Sequence, residues 1–333
     1  MKKLLAVMLS VIMVFSFAAC AGKSANNEGE SQTEETTTIR IGAMAGPTAM
    51  GMVKLRKDSE DGNTKNTYAF EDFATDASAF VTPLASGEID IAAVPSNLAA
   101  NIYNKTEGKV QVVAVNTLGV LNLVERGNSV NNISDLKGKT LYATGMGAVP
   151  EYTIRYILSA NGLDADKDVD IVWCSDTTEA LSKLKAQDGA IAVLPQPFVT
   201  AASAQISDLR VVMDLNDAWD KVNSTSKIVT GVIVVRKEFA DKYPEQLKQF
   251  IEEYKASVEY TSTNVDETAQ LIADYGVVAS ATIAKKALPK CHIVCYTNND
   301  MKDALEGFLK VLYDQNPKSV GGSMPEDDFY YEY

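Results

Sequence analysis

The stretch that decides the fold is KTLYATGMGAVPEYTIRYILSANGL, Lys139–Leu163. In it an apolar, β-prone run meets a glycine turn, Thr144–Gly147, and a helical pattern starts directly behind the turn. Such a join points the free backbone N–H groups of the first helical turn into open space, where they can hold a ligand. A second join of the same kind, Ile39–Thr48, lies earlier in the chain. The two joins predict two similar halves that share one ligand.

From Ile39 onward, strand-like and helix-like segments alternate, which predicts βαβ units and mainly parallel sheets. The segments SGEIDIAAVPSNLAA (Ser86–Ala100) and AQDGAIAVLPQPFVTAA (Ala186–Ala202) follow the same plan of strand, Pro-containing turn and helix. After a further strand predicted at Val229–Arg236, only helical patterns follow. The sequence therefore predicts an α/β protein of two similar lobes with a helical C-terminal part.

Residues 1–19 have the pattern of a lipoprotein signal peptide, with Lys2 and Lys3 followed by an apolar run and small residues. The apolar run is shorter than the roughly 20 residues that span a bilayer, so removal of the segment is expected. The sequence FAAC that ends at Cys20 resembles the bacterial lipobox, which implies that Cys20 is acylated. Residues 20–38 lack large aliphatic side chains and are predicted to form a disordered tether. A lipid-anchored protein on the outer face of the cell membrane is expected.

The formal net charge of -13 argues against binding to nucleic acid, for which a basic surface is typical. Besides Cys20 the chain has Cys174, Cys291 and Cys295, so at most one disulfide can form among the three. The segment Cys291–Cys295 contains too few ligand side chains for a metal site. Neither a metal nor a cofactor is predicted.

The sequence lacks the usual signatures of enzymes. Its only histidine, His292, lies in an apolar stretch, and no Gly-x-Ser-x-Gly, His-Glu-x-x-His or P-loop motif is present. The prediction is that the protein is not an enzyme. A carboxylate-based hydrolase or isomerase that uses Glu151 remains the alternative.

Four turns follow predicted strands at their carboxyl ends, where open α/β sheets bind ligands. They are Ala45–Thr48, Val94–Asn97, Thr144–Ala148 and Leu194–Pro197. None contains Lys or Arg. Helix N-termini and neutral donors can still hold an oxyanion, whereas a neutral or heteroaromatic solute would need an aromatic wall, for which Trp219, Tyr152 or Tyr103 is available.

The predicted ligand-binding residues, including three at the crossings between lobes, are Gly46, Pro47, Thr48, Pro95, Ser96, Asn97, Thr117, Gly119, Thr144, Gly145, Met146, Gly147, Pro195, Gln196, Trp219 and Thr230.

An ordered set of segments resembles a known family. The segments are Gly87–Asn97, Ile133–Thr140 (ISDLKGKT), Thr144–Gly147, Asn161–Leu163 and Gly189–Val199. Together they resemble periplasmic-type solute-binding proteins of ABC importers, in the nitrate/sulfonate/taurine and thiamine-precursor branch. The resemblance implies a type II two-lobed fold with two crossing strands, a solute held between the lobes, and a permease and an ATPase as partners.

The crossings are expected near Asn116–Val124 and Ile228–Val235. Lobe 1 would then comprise residues 39–121 and 235–333, and lobe 2 residues 122–234. The predicted function is that of a monomeric lipoprotein that captures a small organic or oxyanionic solute and delivers it to the permease. A receptor that signals solute occupancy to a membrane partner is the second hypothesis.

Overall fold

The computed structural model describes residues 37–333, so the predictions for the signal peptide, for Cys20 and for residues 20–36 of the tether lie outside the described residues. Thr38, the last residue of the predicted tether, begins the first strand. The first sheet has the strand order β11-β4-β10-β3-β1-β2. Its strands are β1 (Thr38–Ala43), β2 (Thr67–Phe70), β3 (Ile91–Pro95), β4 (Val110–Leu118), β10 (Val229–Arg236) and β11 (Ile293–Tyr296). Strand β1 pairs in parallel with β2 and β3, whereas β10 is antiparallel to β3 and β4, and β11 is antiparallel to β4.

The second sheet has the order β7-β6-β8-β5-β9. Its strands are β5 (Leu121–Arg126), β6 (Thr140–Ala143), β7 (Asp170–Trp173), β8 (Ile191–Pro195) and β9 (Leu209–Asp214). Strand β6 is parallel to β7 and β8, and β5 is antiparallel to β8 and β9.

The prediction of mainly parallel sheets is wrong, and the crossings explain why. Strand β5 begins at Leu121 opposite Pro195, the last residue of β8, and β10 begins beside Leu118, the last residue of β4. Each of these two strands therefore starts beside the last residue of its neighbour and runs in the opposite direction. The chain changes sheet between Leu118 and Leu121 and again between Asp214 and Val229. The lobe boundaries at residues 121 and 234 stay predictions, although β10 lies wholly in the first sheet.

Thirteen helices lie among the described residues. They are α1 (Pro47–Met50), α2 (Val53–Glu60), α3 (Val81–Ser86), α4 (Ser96–Lys105), α5 (Val149–Ala160), α6 (Thr177–Ala186), α7 (Phe198–Gln205), α8 (Leu215–Val222), α9 (Lys237–Lys242), α10 (Pro244–Thr263), α11 (Val265–Asp274), α12 (Ala281–Ala287) and α13 (Asn298–Gln315). Within residues 37–333 no helix combines the length and the apolar character that a membrane span needs.

The C-terminal part is helical as predicted, apart from β11, which sequence periodicity missed. Buried side chains on α10, Leu247, Phe250, Ile251 and Tyr254, follow the predicted stripe and pack in the apolar core beside the first sheet. A second core cluster is continuous across both sheets, because it includes residues of α4 and α13 as well as α5 and α8. In the described chain Cys174, Cys291 and Cys295 are free thiols.

A buried carboxylate links three strands of the first sheet at the end opposite the turns. Asp90 accepts hydrogen bonds from Arg40 Nε at 2.8 Å and from Arg236 Nη2 at 2.8 Å, so it links the start of β3 to β1 and to the end of β10. Burial by itself raises the pKa of Asp90, but the hydrogen bonds from Arg40 and Arg236 outweigh it and hold the pKa below its ordinary value of 3.8. The ionised carboxylate therefore stabilises the folded state.

Replacing Asp90 with Asn should lower the free energy of unfolding at neutral pH by about 3 kcal/mol, because two arginines lose their buried partner. The stabilisation by Asp90 is present above the pKa of the unfolded chain and is lost as pH falls through the lower pKa of the folded protein. Urea unfolding from neutral to acidic pH should therefore give a shallower acid slope for D90N than for the native chain. Asp188, exposed and paired with Arg126, is the matched control; D188N should cost less than about 1 kcal/mol.

Candidate functional site

The four predicted turns lie where parallel strands of each sheet end. Strands β1, β3, β6 and β8 are followed by α1, α4, α5 and α7, and none of these helices has a side-chain hydrogen bond at its N-cap. By contrast, Asp176 and Asp214 cap α6 and α8. The other α-helices of residues 37–333 also lack such a cap, so the open N-caps of α1, α4, α5 and α7 agree with a ligand site at these turns without singling it out.

The predicted residues differ widely in exposure. Met146 and Gly147 are exposed. Those that are half-buried are Gly46, Pro47, Pro95, Thr144, Gly145, Pro195 and Thr230. Those that are buried are Thr48, Ser96, Asn97, Thr117, Gly119, Gln196 and Trp219.

At the first sheet, several predicted donors are engaged in internal hydrogen bonds. Ser96 Oγ donates to Val229 O at 2.6 Å, and Thr48 Oγ1 donates to Met44 O at 2.9 Å. A Cβ atom added to Gly231 would lie 2.2 Å from Thr48 Cγ2, so the start of β10 packs closely on α1. These side chains hold the second crossing against the turns. They are not free donors in this conformation.

The turn before α5 is fixed by its own helix. Gly145 and Gly147 have φ of 81° and 79°, in the left-handed region that favours glycine. The N–H of Gly147 donates to Glu151 Oε2 at 2.6 Å, and Arg155 Nε donates to Glu151 Oε1 at 2.8 Å. A carboxylate of the chain therefore takes one of the backbone donors on which the sequence prediction relied, in a position that the helix dipole favours.

Gln196 and Trp219 are both committed to packing. Gln196 Oε1 accepts from Thr200 Oγ1 at 2.8 Å. Trp219 donates from Nε1 to Ser226 O at 3.0 Å, and its ring centroid lies 4.5 Å from that of Tyr156 and 5.5 Å from that of Phe308. Because the Trp219 side chain is fully buried, this placement argues against its role as an aromatic wall.

A groove of about 840 Å³ opens beside the turn before α5. One side is formed by this turn and α5, which belongs to the second sheet, and the other by the end of α13, which packs on the first sheet. Its lining residues are Met146, Gly147, Glu151, Tyr152, Arg155, Ser159, Gly162, Leu163, Asp164, Ala165, Asp166, Gln315 and Asn316. Only Met146 and Gly147 belong to the predicted site set.

Tyr152 joins the two sides of the groove. Gln315 Nε2 donates to Tyr152 O at 3.0 Å, and Asn316 Nδ2 donates to Tyr152 Oη at 3.4 Å. The pKa of Tyr152 is raised, chiefly by burial. Its hydroxyl therefore keeps its proton at neutral pH and can donate. Sequence reasoning considered Tyr152 only as an aromatic wall and missed Gln315 and Asn316, for which no local signal exists.

The charged groups of the groove face one another. Arg155 Nη1 lies 2.9 Å from Asp166 Oδ1 and its Nε contacts Glu151, while Asp164 pairs with Lys167. Burial lowers the pKa of Arg155, but the hydrogen bonds to Asp166 and Glu151 prevail and raise it. The one arginine of the groove is therefore already paired with carboxylates of the chain.

The start of α4 is held by the segment that follows α13. Asn97 and Asn101 both donate from Nδ2 to Ser319 O, at 3.5 and 2.7 Å, and Asn104 donates to Val320 O at 2.7 Å. The three asparagines lie on one face of α4. Asn97, a predicted ligand-binding residue, is thereby engaged in an internal hydrogen bond.

The first crossing is held by the only histidine. Gly119 O lies 2.6 Å from His292 Nδ1 and accepts from Asn216 Nδ2 at 2.8 Å, so groups from both sides of the crossing meet on one carbonyl. His292 has φ of 46°, and its own carbonyl accepts from Leu118 N. The sequence placed Gly119 in the site but gave His292 and Asn216 no role there. Within residues 37–333 no cluster of side chains could hold a metal ion.

These features define a two-lobed α/β solute-binding fold, and comparison with known proteins agrees. Residues 71–286 match the family model described as ABC transporter, phosphonate, periplasmic substrate-binding protein. The match covers more than half of the chain, so the protein belongs to this family. Proteins of this family deliver small solutes to ABC permeases and are not enzymes, which decides against the Glu151-based alternative and favours import over signalling.

Solved structures show the same fold. An ABC transporter protein from Parabacteroides distasonis is 25% identical with a TM-score of 0.74, over 89% of this chain and 99% of that chain. The periplasmic aliphatic sulphonate binding protein SsuA from Escherichia coli is 16% identical with a TM-score of 0.71, over 89% and 92%. The alkanesulfonate-binding protein SsuA from Xanthomonas axonopodis pv. citri, bound to MOPS, is 12% identical with a TM-score of 0.61, over 87% and 96%. No curated protein sequence matches the chain.

The contact between Gly119 and Asn216 can be tested by a double-mutant cycle. A Cβ at Gly119 would lie 2.1 Å from Asn216 Oδ1. Gly119→Ala should therefore lower the free energy of unfolding by about 1–3 kcal/mol, as overpacking does. Asn216→Ala removes the obstructing atoms, so G119A should cost less than about 0.5 kcal/mol more in that background. Urea unfolding of the four proteins measures this, and equal costs in both backgrounds would show that Asn216 does not restrict position 119.

Proposed function

We propose that this protein captures a small organic solute with an oxyanionic head group, of the phosphonate or sulfonate class, in the groove between α5 and the end of α13. It acts as a monomer, is anchored to the outer face of the membrane through Cys20, and delivers the solute to a permease driven by an ATPase. The observation that carries the site assignment is the groove itself, because Gln315 and Asn316 on one side donate hydrogen bonds to Tyr152 on the other.

Two lines of support favour an oxyanion. The description of the matching family names phosphonate, and the similar structures from Escherichia coli and Xanthomonas are of proteins named as sulfonate-binding. The uncharged donor that the groove offers is the Tyr152 hydroxyl, since the amides of Gln315 and Asn316 already donate to Tyr152 and Val311. The one arginine of the groove is already paired with two carboxylates. A neutral heteroaromatic solute is the second candidate, favoured by the carboxylates of Glu151, Asp164 and Asp166 in the lining.

The groove also connects the two sheets in a way that suits capture by closure. Gln315 and Asn316 end a helix packed on β4, whereas Tyr152 lies on a helix that contacts α8 of the second sheet. A solute bound between them would contact both halves at once, and binding energy would favour the conformation in which the halves approach. The permease would then meet a surface composed of both halves.

Binding should depend on the Tyr152 hydroxyl. In isothermal titration with methylphosphonate and ethanesulfonate, Tyr152→Phe should weaken affinity about 10- to 100-fold, since a hydrogen bond to a charged group contributes roughly 1.5–3 kcal/mol. Tyr156→Phe is the matched control: it lies one turn later on α5, accepts from Asn223 Nδ2 and is absent from the groove lining.

The results test the groove assignment and the class of the solute separately. An oxyanion that raises the melting temperature, with affinity lost in Y152F and kept in Y156F, supports both parts of the proposal. Equal affinity in Y152F and the native chain would contradict the groove assignment. A rise in melting temperature with a pyrimidine and with neither oxyanion would contradict the head-group class.

The membrane anchor is tested at Cys20. In cells that process lipoproteins, the native protein should sediment with membranes and incorporate labelled palmitate, and Cys20→Ser should be released in soluble form. Each buried CH₂ of an acyl chain contributes roughly 0.8 kcal/mol, so two or more chains hold a protein firmly. Membrane association that persists in C20S without label would contradict the anchor. Cys295→Ser is the control for loss of a thiol elsewhere.

A further inference from the structure

His292 holds the first crossing with both its backbone and its side chain. Its carbonyl accepts from Leu118 N at 3.1 Å, and its ring nitrogen Nδ1 lies 2.6 Å from Gly119 O. At this distance from a carbonyl oxygen Nδ1 carries the proton and donates, because an unprotonated nitrogen would set two lone pairs against each other. The backbone of His292 has φ of 46°, in the left-handed region that costs free energy for an L-residue. The chain accepts this cost to keep the ring at the crossing.

Asn216 brings α8 to the same carbonyl. Its Nδ2 donates to Gly119 O at 2.8 Å and to Asp214 Oδ1 at 2.9 Å, and it lies 3.3 Å from His292 Nδ1. These two bonds use both hydrogens of the amide, which agrees with a ring nitrogen that donates rather than accepts. Gly119 O is therefore an acceptor shared by the segment before β11 and by α8.

Helix α8 connects this carbonyl to both sides of the groove. Trp219 lies three residues after Asn216, and its ring packs on Tyr156 of α5 and on Phe308 of α13. Helices α5 and α13 form the two sides of the groove. Trp219 also donates to Ser226 O in the segment of the second crossing. Because packed interiors transmit displacements, a shift of α8 would reach both crossings and both sides of the groove.

A second proton on the ring would strengthen the bond to Gly119. The ring is half-buried, and among the described residues only its Nδ1 has a hydrogen-bond partner, so Nε2 is the nitrogen that takes up the second proton. Histidine is the side chain that ordinarily changes charge between about pH 5 and 8. A hydrogen bond from a charged donor is stronger than one from a neutral donor. The charged ring therefore favours the described position of α8 more than the neutral ring does.

The other ionisable groups near the ring keep their charge state between about pH 5.5 and 8. Carboxylates and lysines ordinarily do so, and burial raises the pKa of the Cys291 thiol to about 12 and that of the Cys295 thiol to about 11. The charged residues on the surrounding elements are Asp214 and Asp217 at the start of α8, Lys255 and Glu259 of α10, and Lys290. A change of the contact within this pH range is therefore assigned to His292.

We propose that His292 is a positioning residue for solute capture and that its protonation tightens binding. As a donor to Gly119 O, the ring holds α8, and through Trp219 both sides of the groove, in the arrangement that receives the solute. Capture is then stronger in mildly acidic surroundings and weakens as the pH rises. The effect on affinity rests on the proposed function, because it assumes that the solute occupies the groove, whereas the contact itself does not.

The ring can be observed directly, because the chain contains a single histidine. The untagged protein labelled with ¹⁵N-histidine should show, in long-range ¹H–¹⁵N correlation spectra without solute, a proton on Nδ1 alone at about pH 8 and protons on both nitrogens at about pH 5.5. A proton on Nε2 alone at about pH 8 would overturn the contact with Gly119.

The effect on capture is measured by isothermal titration with ethanesulfonate from about pH 5.5 to 8, a range in which a sulfonate keeps its charge. The native protein should bind about three- to tenfold more tightly at the acidic end. His292→Asn keeps a donor and suits left-handed backbone but does not titrate, so its affinity should change less than about 1.5-fold. Lys290→Gln removes an exposed charge two residues away and is the matched control, which should keep the native profile.

The failures are distinguishable. A native pH profile in H292N, or a flat profile in a native protein that binds ethanesulfonate, would overturn the role of His292 and leave the proposed function intact. If no oxyanion binds at any pH, the proposed function fails and the effect on capture fails with it, while the ring spectra still decide whether His292 donates to Gly119 O.

Discussion

The structure depends on a close pair of chain crossings between two sheets. Only two residues separate the end of β4 from the start of β5, so any rotation of one half against the other must be taken up there and in the segment between β9 and β10. The carbonyl of Gly119 lies in the first of these places and is contacted both by His292, which precedes β11, and by Asn216 of α8. Because the crossing strands start beside the last residues of their neighbours, they also fix the antiparallel pairs in both sheets.

The buried charged side chains of the two sheets lie away from the four turns. Asp90 with its two arginines lies at the far edge of the first sheet, and Glu125, which is fully buried, is held by Arg210 and Ser129 in the second. Charges buried in pairs give rigid anchors but tolerate little change in geometry. Near the turns the structure uses hydroxyl and amide groups instead, whose hydrogen bonds can exchange with a solute or with water at small net free energy.

The proposed binding of an oxyanion in the groove has to be reconciled with the acidic character of the protein. The net charge of -13 is spread over the surface and sets solubility more than local binding. Inside the groove Arg155 bridges Glu151 and Asp166, so this cluster of three side chains keeps one net negative charge. An oxyanionic head group would therefore have to bind away from these carboxylates, beside the neutral Tyr152 hydroxyl.

The sequence by itself determined most of the order of strands, turns and helices, with the exception of β11, and the four turn positions. These follow from glycines, prolines and apolar runs, whose effects act over a few residues. The tertiary structure decided the rest. Ser96 bonds to Val229 O across 133 residues, and Gln315 reaches Tyr152 across 163. Whether a polar side chain in a turn is free for a ligand depends on such distant partners, and no local pattern can reveal them.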